Sequence, residues 1–312
     1  MTKLHQNILL KTSKGEVLNL SGSKYDCPVC GSTEKSLVKY SFADFNLVEC
    51  YACATMHLSP LPTTELLSQI YNNNYYNDSN LEHGYLDYSA EKARIRRTYY
   101  RRLKFLKPHL RSLTNPAVLE IGAALGFGLS KIKDFLNANV IACDISKDAV
   151  AACKKEGFQS YLTDEYGTCK SLAPNSIDIV IGFDLIEHLP DVSRFTEWLK
   201  LVLKPGGLLF ITTPNMNHIL NKMLGSRSPS IKIPQHVIYF TTTTLQNALK
   251  NSFTLEACAW DYQYVGLGMF FSRLAHIFGL PQLKQEFGPT ILVPNGMGMY
   301  VFRKGESNGT IE

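Results

Sequence analysis

Apolar positions along the chain follow two textures. From Ala117 onward, short apolar runs alternate with stretches of helical spacing. Val118-Leu119-Glu120-Ile121 predicts a strand, followed by a glycine-rich loop and a helix through Ile132 and Phe135. Val140 to Cys143 predicts the next strand, and Ala149 to Glu156 a helix. Ile177 to Ile181 is a further strand, followed by a helix from about Val192 to Leu203. The turn Lys204-Pro205-Gly206-Gly207 leads into another strand, Leu208 to Thr212. Repeated strand–helix units of this length imply a parallel sheet covered on both faces.

Upstream the pattern is less regular. Leu37 to Tyr40 and Phe45 to Glu49 read as short strands. Ser59-Pro60-Leu61-Pro62 is a breaker, after which Thr63 or Thr64 caps a helix through Leu66, Leu67 and Ile70. Asn72 to Ser79 reads as a loop rich in asparagine and tyrosine. A long helix from about Ser89 to Leu106 follows, with Ile95, Tyr99, Leu103 and Leu106 as its apolar stripe. No internal repeat or low-complexity tract interrupts the chain.

A length of 312 residues suits one large domain, or one of roughly 200 residues with a smaller partner. Apolar residues at 45% and charged residues at 19% are ordinary for a globular chain, which excludes disorder beyond the ends. No run of about 18 apolar residues exists, so no membrane-spanning helix is expected. The first residues lack a secretory apolar core with a cleavage site, so a cytoplasmic location is expected. In that reducing compartment the eight cysteines do not form a disulfide framework.

The net charge of +5 is unevenly spread. Lys92, Arg94, Arg96, Arg97, Arg101, Arg102, Lys104, Lys107 and Arg111 fall in one stretch without a carboxylate. Three readings stand: a solvated helix face, a patch for a phosphorylated acceptor, or a nucleic-acid surface. Modest overall charge and the lack of aromatic–basic interleaving weigh against nucleic acid.

Cys27-Pro-Val-Cys30 and Cys50-Tyr-Ala-Cys53 are two C-x2-C pairs nineteen residues apart. Two tight turns of this kind can surround one tetrahedral Zn2+, and a closed set of four sulfurs makes that metal structural. Four free buried thiols are the alternative. Cys143, Cys153, Cys169 and Cys258 lack such spacing and read as packing residues.

The strand ending in Glu120-Ile121 runs into Gly122-Ala-Ala-Leu-Gly126-Phe-Gly128. Small residues let a cofactor approach the backbone, and the following helix start offers free N–H groups. Asp144 ends the next strand, about twenty residues on, where a carboxylate can take both hydroxyls of a ribose. Glu120 beside the loop would repel a pyrophosphate but suits a cationic cofactor. This favours S-adenosyl-L-methionine over a nicotinamide dinucleotide.

Val118 to Leu129 resembles motif I of the class I S-adenosylmethionine-dependent methyltransferases, and Asp144 the acidic residue ending their second strand. Ser176 to Ile181 resembles their fourth-strand motif and Leu203 to Ile211 their fifth. The likeness covers roughly residues 110–260, with Leu255 to Tyr264 as the sixth strand and Met299 to Lys304 as the closing one. It implies a seven-stranded, mostly parallel, doubly wound α/β sheet (Rossmann-like), preceded by the zinc ribbon. It also implies a cofactor site of Glu120, Gly122, Ala123, Gly126, Gly128, Asp144, Ile145, Asp164, Phe183 and Asp184. Ala124 departs from the glycine of many members, and its methyl group is expected to be tolerated.

Asp184-Leu-Ile-Glu187-His188-Leu and His236-Val-Ile-Tyr-Phe240 resemble segments of a subgroup that methylates small molecules, including sugars. His188 and His236 are the candidate catalytic bases, because imidazole titrates near neutrality. Each has a plainer reading: His188 braces its loop, and His236 caps the helix near Thr241. Asp184, Glu187, His188 and His236 could instead hold a divalent cation. Tyr75, Tyr76, Tyr85 and Tyr88 resemble a lid over the cofactor.

The expected organisation is an arm at 1–23, a ribbon at 24–58 and a helical linker or lid at 59–112. A methyltransferase domain at 113–305 and a tail at 306–312 complete it. A roughly thirty-residue insertion before Met299, apolar over 266–280, reads as an acceptor cover, a homodimer face, a contact for a membrane-linked substrate or a buried helix. Function is expected to be methyl transfer to a small-molecule acceptor such as a sugar, a surface-polysaccharide precursor or a natural-product intermediate. RNA methylation and non-catalytic cofactor binding are the alternatives.

Overall fold

A computed structural model describes residues 27–34, 36–63, 65–67, 70, 92–110, 113–278, 280 and 288–306. The N-terminal arm, the loop at 72–79, the lid tyrosines Tyr75, Tyr76, Tyr85 and Tyr88 and most of the tail lie outside the described residues.

The larger sheet has seven strands. Five strands, β4 (Ala117–Ile121), β5 (Asn139–Asp144), β6 (Gln159–Leu162), β7 (Ile177–Phe183) and β8 (Leu203–Pro214), are each parallel to their neighbours in this group, with β6 at one edge of the sheet. Its far edge is antiparallel: β11 (Thr290–Lys304) pairs with both β8 and β10 (Phe253–Gly266). The order β10-β11-β8-β7-β4-β5-β6 reverses between β4 and β7. In open α/β sheets that reversal opens a crevice at the carboxyl ends of the strands.

The central strands form because their apolar runs are covered on both faces. Val118, Leu119, Ile177, Ile179, Val180, Ile181, Leu209 and Phe210 are all buried. Helices α2 (Leu129–Leu136), α3 (Lys147–Lys155), α4 (Val192–Val202) and α6 (Thr242–Leu249) supply the cover. Their starts are set chemically. Ser146 Oγ accepts from Ala149 N, Asp191 from Arg194 N, and Thr241 forms a reciprocal capping box with Thr244.

Helix α1 (Lys92–Leu106) lies on the sheet through Leu103 and Leu106, as its stripe predicts. Its cations divide between a solvated face, where Lys92, Arg97 and Lys104 are exposed, and the interior. Arg102 is buried against Asp261 of β10, and Arg97 and Arg101 lie over the rings of Tyr264 and Tyr262.

The two strands expected between the cysteine pairs are β1 (Ser36–Ser41) and β2 (Asn46–Cys50). They continue into β3 (Met56–Ser59) and then into β9 (Ile238–Tyr239), which comes from the distant half of the chain. Leu58 N donates to Val237 O at 2.9 Å. Val192 N, opening α4, donates to Pro28 O at 3.0 Å, inside the first cysteine turn. One apolar core accordingly contains Cys27, Leu47 and Leu58 together with Phe195, Val237 and Phe240.

The late segment is an extension of the sheet edge. Strands β10 and β11 stay paired from Phe253↔Lys304 out to Gly266↔Thr290 and frame helix α7 (Leu267–Ile277). The closing strand therefore starts well before Met299, because β10 offers it a continuous partner. Among the described residues no helix is long and apolar enough to cross a membrane.

A shared core implies shared unfolding. Leu58→Ala removes a fully buried side chain at the seam, at a cost of about 2–5 kcal/mol. Calorimetry should show one transition moving to lower temperature. A separate ribbon transition that shifts alone would contradict the shared core.

Candidate cofactor and acceptor site

The loop after β4 is shaped by backbone conformation. Gly122 and Gly126 have φ of +73° and +75°, values that favour glycine. Gly122 N and Ala123 N both donate to Cys143 O, at 2.8 and 3.2 Å, tying the loop to β5. A side chain at Gly128 would run into the ring of Tyr99, so that glycine makes room for α1. Ala124 also has positive φ, +50°, so the departure from glycine carries backbone strain even though its methyl group fits.

Asp144 holds this loop from the end of β5. Its Oδ2 accepts from Ala124 N and its Oδ1 from Ser146 N, both at 2.9 Å. Ile145 follows, half-buried. Asp164 has other work. Its oxygens accept from Tyr166 N, Thr168 N and the Thr168 hydroxyl, and they pair with Arg194. The carboxylate expected near an adenine is thus spent on its own turn.

Glu120 is buried beneath the loop. Tyr99 Oη donates to its Oε1, while its Oε2 has no partner. Burial pushes its carboxyl up to about 8, against the Tyr99 hydrogen bond and the Arg102 charge. Arg102 completes the group: Nε and Nη2 donate to Asp261 Oδ2 at 3.2 and 2.7 Å, and Nη2 lies 3.5 Å from Asp184 Oδ1. The guanidinium also sits over the ring of Phe183, 4.6 Å from its centroid.

Sequence reasoning missed Arg102. The available signal was its place four residues after Thr98 and four before Leu106, on the buried face of the helix.

Asp184 turns the chain out of β7 with φ of +54°, and Thr212 Oγ1 donates to its Oδ1 at 2.5 Å. Beyond it, the short 3-10 helix Ile186–His188 places Glu187 and His188 against His236. Thr213 Oγ1 donates to Glu187 Oε2 at 2.9 Å, and Glu187 Oε1 is buried without a partner. His188 Nδ1 donates to Gln235 O and His236 Nδ1 to Ser230 O, at 2.8 and 2.9 Å. The two rings meet edge to face, 4.7 Å between centroids.

Burial pushes His188 down to about 4 and Glu187 up to about 8. His236 does not cap the helix at Thr241, whose own capping box does so. Asp184 stands apart from the Glu187–His188–His236 cluster, held by Thr212 and Arg102.

The four cysteines of the two turns converge. Cys27 Sγ lies 3.6 Å from Cys53 Sγ and Cys30 Sγ 3.8 Å from Cys50 Sγ, and all four sulfurs lie within 4.8 Å of one another. Those distances are too long for disulfides, with S–S near 2 Å. They match sulfurs at the corners of a tetrahedron about 2.3 Å from its centre, which sit roughly 3.8 Å apart.

Comparison with known proteins adds the following. A family model described as a methyltransferase domain matches residues 91–252, just over half of the chain. The ubiquinone biosynthesis O-methyltransferase of Paraburkholderia phymatum is 33% identical over 144 residues, 45% of this chain and 61% of that protein. Its namesake in Bradyrhizobium diazoefficiens is 35% identical over 103 residues, 32% of this chain and 40% of that protein. The chain thus spans less than two thirds of these relatives' length. A crystal structure of a SAM-dependent methyltransferase from Methanosarcina mazei superposes with a TM-score of 0.44 at 16% identity, covering 64% of this chain and 98% of that one.

The Glu120 environment makes stability depend on pH. Its folded pKa of about 8 lies above the ordinary 4.5, so the ligand-free folded state binds more protons between those values. Its contribution is full below about pH 4.5 and is lost as pH rises through 8. Denaturation across this window should show that decline, and Glu120→Gln should flatten part of it. An unchanged slope in the variant would contradict the assignment.

Proposed function

Since the chain belongs to the methyltransferase-domain family, we propose that it moves a methyl group from S-adenosylmethionine to a hydroxyl of a small-molecule acceptor. The observation that carries this reading is the buried, unpartnered Oε2 of Glu120 beside a left-handed glycine loop. When bound, the cofactor supplies a sulfonium methyl that an acceptor oxygen displaces, the C–S electron pair returning to sulfur.

The residues fit such a cofactor. Glu120 has a vacant oxygen with which an ammonium would pair once the carboxyl gives up its proton. Gly122, Ala123, Gly126 and Gly128 keep the loop close to the ligand. Asp144 and Ile145 take the ribose and adenine side, with Phe183 and Asp184 on the wall at the end of β7. Asp164 is the weakest member, because its oxygens are already engaged.

His188 and His236 are the groups responsible for the acceptor's proton, standing where chain segments leave β7 and approach β9. The acceptor is read as a hydroxylated small molecule: a sugar, a surface-polysaccharide precursor or a natural-product intermediate. Relatives named as biosynthetic O-methyltransferases support oxygen as the target. RNA is disfavoured by the modest net charge of +5 and by the burial of Arg102 against Asp261. The converging thiolates are read as a structural zinc site, closed to substrate.

Two measurements test this. Full-length protein should bind adenosylhomocysteine and transfer labelled methyl to members of a panel of hydroxylated metabolites. Asp144→Ala should weaken binding by about tenfold or more. His236→Ala should keep the affinity and lower turnover about a hundredfold. Binding of a nicotinamide dinucleotide in place of adenosylhomocysteine would overturn the reading. Elemental analysis of chelator-washed protein should return about one zinc per chain; folded protein without zinc would contradict the metal assignment.

A further inference from the structure

Glu187, His188 and His236 form a cluster apart from the cysteines. One ligand atom from each lies within 4.8 Å of the others. Glu187 is 0% exposed and His236 4%, while His188 is half-buried. Glu187 Oε2 takes the Thr213 hydroxyl, and Oε1 has no partner in a place where water does not reach. A buried, unpartnered carboxylate oxygen is costly unless a cation or a proton meets it.

The histidines are oriented in a telling way. A carbonyl only accepts, so the bonds to Gln235 O and Ser230 O put the proton of each ring on Nδ1. The lone pair then lies on Nε2 in both rings. Backbone carbonyls behind the rings fix both tautomer and direction, the arrangement found behind metal-ligating imidazoles.

We propose that Glu187, His188 and His236 bind a divalent transition-metal ion, with Nε2 of both histidines and Glu187 Oε1 as ligands. Two imidazole nitrogens and one carboxylate oxygen suit zinc, cobalt, iron or manganese better than calcium or magnesium, which seek oxygen-rich sites. Three protein ligands leave coordination positions open, in contrast to the closed four-sulfur set. Asp184 is not a ligand, because Thr212 and Arg102 hold it. Lys232 lies close enough to act on Glu187 and His188 and is the competing counter-charge.

The inference rests on reading this cluster as the acceptor end of the site. It replaces the role of the histidines as bases: with both imidazole lone pairs on the ion, the ion acidifies the hydroxyl and its proton passes to solvent water. The acceptor class is then a molecule whose reacting hydroxyl can reach a metal.

Cobalt(II) is the probe, added to full-length, zinc-loaded, chelator-washed protein. About one equivalent should bind with visible d–d bands of nitrogen–oxygen ligation and no thiolate charge-transfer band. Glu187→Gln, which still lets Thr213 donate to its side-chain oxygen, should weaken cobalt by about tenfold or more, and so should His236→Ala. Both variants should bind adenosylhomocysteine like the parent, which shows that they are folded. No cobalt beyond the sulfur site, or affinity unchanged in both variants, would overturn the proposal. Failure with adenosylhomocysteine binding intact sinks the metal site alone. Failure of adenosylhomocysteine binding with cobalt retained sinks the methyltransferase reading instead.

Discussion

A carboxyl group sealed inside the sheet, with one oxygen satisfied by Tyr99 and the other by nothing, constrains the rest of this molecule. Leaving such an oxygen unmet is expensive, and holding a charge there is more so. Burial accordingly pushes the Glu120 carboxyl up to about 8. Helix α1 is positioned around this group: Tyr99 contacts it directly, and Arg102 adds a positive charge that Asp261 and Asp184 hold in place. The glycine loop, tied to β5 through Cys143 and Asp144, brings the backbone over the same spot.

The second organising contact joins distant parts of the chain. A two-residue strand, Ile238–Tyr239, completes the sheet of the cysteine ribbon, and Val237 N donates to Glu187 O at 2.8 Å. The ribbon thereby braces both segments that carry the histidine cluster, and Pro28 and Val29 accept from the start of α4.

What could be read in the sequence was what local chemistry decides. The strands of the parallel sheet and the placement of Glu120 and Asp144 at strand ends follow from short-range pattern. Ala124 was legible as a departure but not as strain, because a methyl group that fits gives no sign of its φ. Strand β9 escaped notice, since two residues carry no periodicity and their partners lie about 180 positions upstream. Arg102 was hidden in a run of cations; only its registry with Leu106 set it apart. A carboxylate after a strand, such as Asp164, looks alike in sequence whether it serves a ligand or its own turn, and here it accepts from Tyr166 and Thr168.

The most direct test is calorimetric titration of adenosylhomocysteine at neutral pH in buffers of different ionisation enthalpy. Glu120, protonated near 8 without ligand, should give up its proton when the ligand's ammonium reaches Oε2. The account predicts release of about one proton per ligand bound, abolished in Glu120→Gln. Binding with no proton release, or release that persists in the variant, would contradict it.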